Sequence, residues 1–210
     1  SDVCSSDLSN ATNTQGSITS TVRANASAGF SIVTWTNPAS ANQTIGHGLG
    51  VKPDMIIRKY RNNADAWLVY HKSLGQTNIL TLNTTNASNT DAGVWPGTID
   101  SSVFSTGALG YFPSGWTAVA YCFAPVSGYS SFGSYTGNGS TDGPFVYLGF
   151  RPRWIMLKPL YQYDGGGSIV ASTSWYIYDS ARGTYNGNGN ILGANKSYGE
   201  ENNEIGRAHV

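Results

Sequence analysis

Gly50-Val51-Lys52-Pro53-Asp54-Met55-Ile56-Ile57-Arg58-Lys59 returns 99 residues later as Gly149-Phe150-Arg151-Pro152-Arg153-Trp154-Ile155-Met156-Leu157-Lys158. Each copy opens on a glycine and a turn with proline, then runs into a stretch of β-branched and large apolar residues that ends on a cation. A proline two residues ahead of a strand stands where its missing N–H costs least. The similarity extends outward. Gly29-Phe30 to Trp35-Thr36 matches Gly128-Tyr129 to Tyr135-Thr136, and Trp67-Leu68-Val69-Tyr70-His71 matches Trp175-Tyr176-Ile177-Tyr178-Asp179. A period of this length is far beyond that of a solenoid repeat and is the size of a small domain.

Composition points the same way. Charged residues are 11% of the chain and aromatics 12%, with 26 glycines. A disordered chain would lack the aromatics, and long helices would need more Ala, Glu, Lys and Leu. Short β-branched and aromatic strands joined by Gly, Asn and Ser turns remain. In the run from Trp116 to Phe123, period two places Trp116, Ala118, Ala120 and Cys122 on one face and Thr117, Val119, Tyr121 and Phe123 on the other. Further strands are expected at residues 30–35, 55–59, 67–71, 79–83 and 103–106, and in the second copy at 131–135, 145–148, 154–158, 175–178 and 191–194. Ile57/Arg58 and Lys59/Tyr60 read as the alternation of a sheet whose outer face meets water.

The fold expected is all-β: a complete antiparallel β-sandwich or jelly-roll-like module over residues 28–126, then a second copy over 127–203. Nothing after residue 203 matches 103–123, so that copy reads as truncated. Residues 9–27, rich in Ser, Thr and Asn, read as a linker or the end of a preceding module. The end segments 1–8 and 204–210 read as artefact. Asp2-Val3-Cys4-Ser5-Ser6-Asp7-Leu8 and Glu204-Ile205-Gly206-Arg207-Ala208-His209-Val210 can be translated from complementary DNA strands, as sequencing adaptor would be. Twelve acids balance twelve bases in the whole chain; without Asp2, Asp7, Glu204 and Arg207 the formal charge becomes +2. That gives no reason to expect nucleic acid or an anionic membrane surface as a partner. No apolar run has the ~20 residues of a membrane-spanning helix.

Residues capable of chemistry are few. Gly46-His47-Gly48-Leu49-Gly50 lacks the spacing of a phosphate loop, and Lys52-Pro53 and another strand follow it where a helix would have to open. His47 and His71 are too few for a zinc site, and Asp179 takes the place of His71 in the repeat. Asp91 and Asp100 are the one conceivable carboxylate pair for glycoside hydrolysis, with nothing to select them. Asp142 and Asp164 each sit alone in a turn, short of a calcium loop. Cys122 reads as a small buried hydrophobe. We expect no catalytic residue, no metal and no cofactor, and hence no enzyme. The aromatic set is the feature with a binding role to offer, since sugars and neighbouring subunits both pack on such rings. Trp95, in the loop Val94-Trp95-Pro96-Gly97, is the first candidate for ligand contact, followed by Trp67 and Trp175.

As a set, the strings Thr19-Ser20-Thr21-Val22-Arg23-Ala24-Asn25, Ile45-Gly46-His47-Gly48-Leu49-Gly50-Val51-Lys52-Pro53, Val69-Tyr70-His71-Lys72-Ser73-Leu74-Gly75, Gly133-Ser134-Tyr135-Thr136-Gly137-Asn138-Gly139, Gly149-Phe150-Arg151-Pro152 and Ile177-Tyr178-Asp179-Ser180-Ala181-Arg182 carry a resemblance. It covers residues 19–197, and the chain resembles tandem β modules in tail-associated proteins of tailed bacteriophages, many from aquatic metagenomes. The resemblance implies a virion component of a tail or tail fibre that spaces or presents a receptor-binding tip. Its partners would be other tail proteins or copies of itself, with host surface glycan as a further contact. It brings no catalytic or ligand-binding residue. The alternative reading is a carbohydrate-binding module of a larger glycan-degrading virion or secreted enzyme.

Overall fold

The computed structural model describes residues 9–40, 42–107, 113–138, 140, 142–163, 169–170, 173–182, 190–197 and 199–202. Both end segments read as adaptor lie outside these, as does Asp164. The chain divides into two compact units. The first takes in residues up to Leu80, Asn89–Val126 and Ser130–Phe132; the second takes Thr81–Ser88, Ser127–Tyr129 and Gly133–Val210. Among the described residues the regular structure is β throughout apart from one 3-10 turn, Ala26–Ala28.

The first unit is an antiparallel two-layer arrangement, consistent with a β-sandwich. Its strands are β1 (Ala11–Asn13), β2 (Ser20–Asn25), β3 (Phe30–Thr36), β4 (Gln43–Gly46), β5 (Met55–Tyr60), β6 (Leu68–His71), β7 (Asn78–Thr81), β8 (Asn89–Thr90), β9 (Val103–Thr106) and β10 (Thr117–Phe123). Eight of them form one sheet in the order β1-β2-β3-β10-β5-β6-β7-β8, and β4 pairs with β9 as a second layer. The last strand in sequence is therefore central: β10 pairs over its length with β3 and also with β5. Ile18 N–H donates to Thr44 O and Ser20 Oγ to Gly46 O, which ties the β4–β9 layer to the β2 end of the sheet.

Side-chain size explains why β10 can hold the middle. Ala118, Ala120, Cys122 and, just beyond the strand, Ala124 are buried and small. They leave room for Trp35, Ile56 and Tyr60 from neighbouring strands and for Ile45, Leu49, Val94, Trp95, Ile99 and Phe104 from the covering layer. Interiors pack to crystal-like density, so a row of small residues must be matched by a row of large ones. Burial pushes the Cys122 thiol up to about 12. The opposite face keeps larger, half-buried groups, with Phe30 on Phe123 at 5.0 Å and Trp67 stacked on Tyr121 at 6.5 Å.

Two sequence expectations change here. Residues 9–27 are not a linker to this unit: β1 and β2 belong to its sheet, and Val22 and Ser20 are buried in it. Arg58 does not face water. Ile56, Arg58 and Tyr60 are the buried positions of β5, while Met55, Ile57 and Lys59 lie on the half-exposed side. The period-two alternation holds, but with the cation inside.

The second unit carries β11 (Trp154–Leu157), β14 (Tyr176–Asp179), β15 (Asn190–Gly193) and β16 (Glu201–Asn202) in that sheet order, and a separate pair β12 (Gln162–Tyr163) and β13 (Ile169–Val170). Trp175 and Ile191 are its buried apolar centre. β11 and β14 pair with Trp154 opposite Asp179 and Leu157 opposite Tyr176, as β5 and β6 pair with Met55 opposite His71 and Arg58 opposite Leu68. The entry contact matches too, Ser180 N–H to Arg153 O at 2.9 Å and Lys72 N–H to Asp54 O at 2.8 Å. The expected strands at 131–135 and 145–148 do not form. Apolar alternation makes a segment fit for a sheet, but a strand exists only where a neighbour takes its N–H and C=O groups.

Candidate functional site

Two of the candidate polar residues of the first unit, His47 and Asp100, meet beside the β4–β9 layer. After β4 the chain turns through Gly46-His47-Gly48-Leu49-Gly50, and no helix follows. His47 is fully buried. Leu49 N–H donates to its Nδ1 at 3.2 Å, so the ring proton sits on Nε2, which donates to Asp100 O at 3.1 Å. The Asp100 carboxylate is turned to its own loop, where Oδ1 accepts Ser102 N–H at 2.8 Å and Val103 N–H at 2.9 Å. Those two N–H groups hold the Asp100 carboxyl below the usual range. Asp91 does the same work for Gly93 N–H at 3.0 Å. Both acids of the conceivable hydrolytic pair are thus turn caps.

Burial lowers the His47 pKa, with Asp100 opposing, and the hydrogen bonds require the neutral ring. Because the folded value is depressed below the ordinary ~6.5, the neutral ring's contribution to stability is complete above that value. It is lost as pH falls through the window down to the folded pKa, with a slope of up to about 1.4 kcal/mol per pH unit. His71, also lowered by burial, adds in the same direction. Urea midpoints measured at pH 7.5 and pH 5 should therefore fall with acid, and His47→Gln should flatten that fall.

Of the three tryptophans singled out from the sequence, Trp95 is a core residue and not an exposed contact, at 1% exposed. Its ring meets Tyr70 at 6.1 Å and Phe104 at 6.4 Å, edge to face. The Arg58 guanidinium lies 5.3 Å from the Trp95 ring and 5.2 Å from that of Tyr60. Gln76 Nε2 holds the loop by donating to Trp95 O at 3.2 Å. Trp175 is buried in the second unit, with Nε1 donating to Thr81 O at 3.0 Å. Trp67 is half-buried on the outer face of the sheet. The structure does not gather these three into one surface: Trp95 and Trp175 are interior to different units.

His71 and Asp179, matched in the repeat, share a local job. His71 Nδ1 accepts Ser73 N–H at 3.3 Å, and Asp179 Oδ1 accepts Ala181 N–H at 3.0 Å and Arg182 N–H at 3.1 Å. Each closes the turn that leaves its strand. Asp179 also pairs with Arg182 at 2.5 Å, as Asp54 does with Lys72 at 2.6 Å. Among the described residues no three His, Cys, Asp or Glu side chains are placed to hold a metal ion, and no helix is long and apolar enough to cross a membrane.

Three polar side chains carry more of the structure than their sequence positions announce. Arg58 is the first, its signal being the alternation of β5. Lys158 is the second: its ammonium donates to Thr85 O at 3.0 Å and to Thr173 O and lies 5.9 Å from the Trp175 ring centroid, while burial lowers its pKa to about 8. Asn37, just past the end of β3, is the third. It is buried, its Oδ1 accepts Trp35 Nε1–H at 2.8 Å, and its Nδ2 donates to Pro113 O at 3.2 Å and toward Tyr60 Oη at 3.4 Å. Asn37→Ala should cost about 2–3 kcal/mol in urea unfolding, because it orphans the buried indole N–H and a carbonyl together. Asn37→Asp, with a buried charge, should recover little of it.

No curated protein and no solved structure matches the chain. A protein-family comparison matches residues 5–208 to a domain of unknown function, DUF7483. That match spans both units, and the chain belongs to the DUF7483 family.

Proposed function

We propose that this chain is a non-enzymatic structural module of a bacteriophage tail or tail-fibre protein, located in the virion and packed against other tail proteins or further copies of itself. The setting rests on the resemblance of its repeated strings to tail-associated β modules. The observation that carries the non-catalytic half is the use made of His47, Asp91, Asp100 and Trp95: three hold turns and loops in place, and the fourth fills the core. A group committed to backbone N–H and C=O partners would have to give them up to move a proton on a substrate.

The carbohydrate-binding alternative loses Trp95 and Trp175 to burial but gains other rings. Phe145, Tyr147, Trp154 and Tyr161 of the second unit are all more than half exposed. A glycan and host-cell-surface binding screen on the full chain separates the two readings. The structural reading expects no saturable glycan binding that depends on these rings. A glycan bound by the chain and lost on Tyr147→Ala, with the unfolding midpoint unchanged, would overturn it in favour of the alternative.

A further inference from the structure

In the first unit β5 is flanked on one side by β6 and on the other by β10, in the order β3-β10-β5-β6. In the second unit β11 has β14 in the register of β6, but among the described residues no strand pairs with its other edge. Three further observations fall on the place where a β10 would run. Residues 133–136, which carry the pattern of β3, are irregular. Tyr135, the counterpart of Trp35, is 45% exposed where Trp35 is 5% exposed, and Trp154 is 55% exposed. A Cβ at Gly29 would stand 2.3 Å from the carbonyl oxygen of Ala124, just past β10, while one at its counterpart Gly128 would meet nothing within 4 Å. One strand, absent among the described residues, accounts for all of these.

We propose that the second unit is an acceptor for one added β-strand of the β10 kind, docked antiparallel on the open edge of β11. The occupant is an extended segment with small residues at alternate positions, as Ala118, Ala120, Cys122 and Ala124, and larger apolar residues between them, as Val119, Tyr121 and Phe123. An open edge is a row of unused donors and acceptors that a chain of the right pattern completes. The donors can be named. Arg153 O accepts Ser180 N–H on the β14 side, so period two sends the N–H groups of Trp154 and Met156 to the open edge. The row of small side chains is what lets such a strand lie over Ile155 and Leu157, as β10 does beside Ile56.

The test uses the full chain and a synthetic peptide of residues 115–125 carrying Cys122→Ser. Saturable one-to-one binding is expected, with amide exchange at Trp154 and Met156 and across residues 133–136 slowed at least ten-fold. Exchange in β3 and β5 should stay as it was. A peptide of the same composition in shuffled order, and one carrying Tyr121→Pro, should protect neither. Absence of saturable binding, equal protection by the shuffled peptide, or protection confined to the first unit would overturn the proposal. So would protection of Trp154 and Met156 without peptide in step with dimer formation in sedimentation, since a second copy of β11 would then be the occupant.

Discussion

Trp95→Ala is expected to lower the stability of the first unit by about 3–5 kcal/mol in urea unfolding, the range for removing a large aromatic from a packed core. The indole fills the space between Tyr70 and Phe104, and the loop around it brings Val94 and Ile99 into the same core. The substitution has a second cost. Arg58 is buried with Nη1 lacking a hydrogen-bond partner, and the Trp95 ring is one of two aromatic faces beside its charge. Removing that face leaves a desolvated cation with less to offset it. Trp95→Phe restores a ring and most of the volume, so it should regain more than half of the loss. A contact residue would behave otherwise: Trp95→Ala would then leave the midpoint within about 0.5 kcal/mol, as surface substitutions do.

Gly29→Ala is the second large effect, about 2–5 kcal/mol, and Gly128→Ala is its internal control. Both glycines have φ in the left-handed region, 65° and 74°, which costs another residue about 1–2 kcal/mol. Gly29 has an additional constraint. It ends the 3-10 turn, its carbonyl accepts Ala124 N–H at 2.7 Å, and a Cβ there would stand 2.3 Å from Ala124 O. Relieving that contact means moving backbone at the end of the central strand, an overpacking cost of a further 1–3 kcal/mol or so. Gly128 faces open space, so only the conformational part applies. The ratio of the two destabilisations, read from urea curves followed separately for each unit, should exceed one. Equal effects would mean that the approach of Ala124 to Gly29 is not fixed.

Much of the fold was legible because β-strands write their period into the sequence. The two faces of β10 were read correctly, since Ala118, Ala120 and Cys122 alternate with larger neighbours over a full seven residues. β2 was missed because the side chains it buries most deeply, Ser20 and Val22, are small, and small polar residues look like a linker. Arg58 was misplaced because residue type was given more weight than period. The two aromatic faces that make its burial tolerable come from β5 itself and from a loop distant in sequence. Trp95 was misread for a related reason: loops usually run over the surface, and Val94-Trp95-Pro96-Gly97 does not reveal that this one folds over a sheet. Residues 131–135 have the composition of a strand and no strand forms, because pairing depends on a partner that composition does not describe.

Native-state amide exchange on the full chain decides whether His47, Asp100, Trp95 and Asn37 are framework. Functional loops and lids open with low free energy, whereas framework opens only with the whole unit. The amides of Leu49, Asn37, Ser102 and Val103, held by these groups and by Trp116 O just ahead of β10, should therefore exchange together with those of β3, β5 and β10 at the global unfolding free energy. Exchange of Leu49, Ser102 and Val103 through a separate opening, several kcal/mol easier than that of β10, would contradict a framework role and mark the His47–Asp100 region as a mobile site.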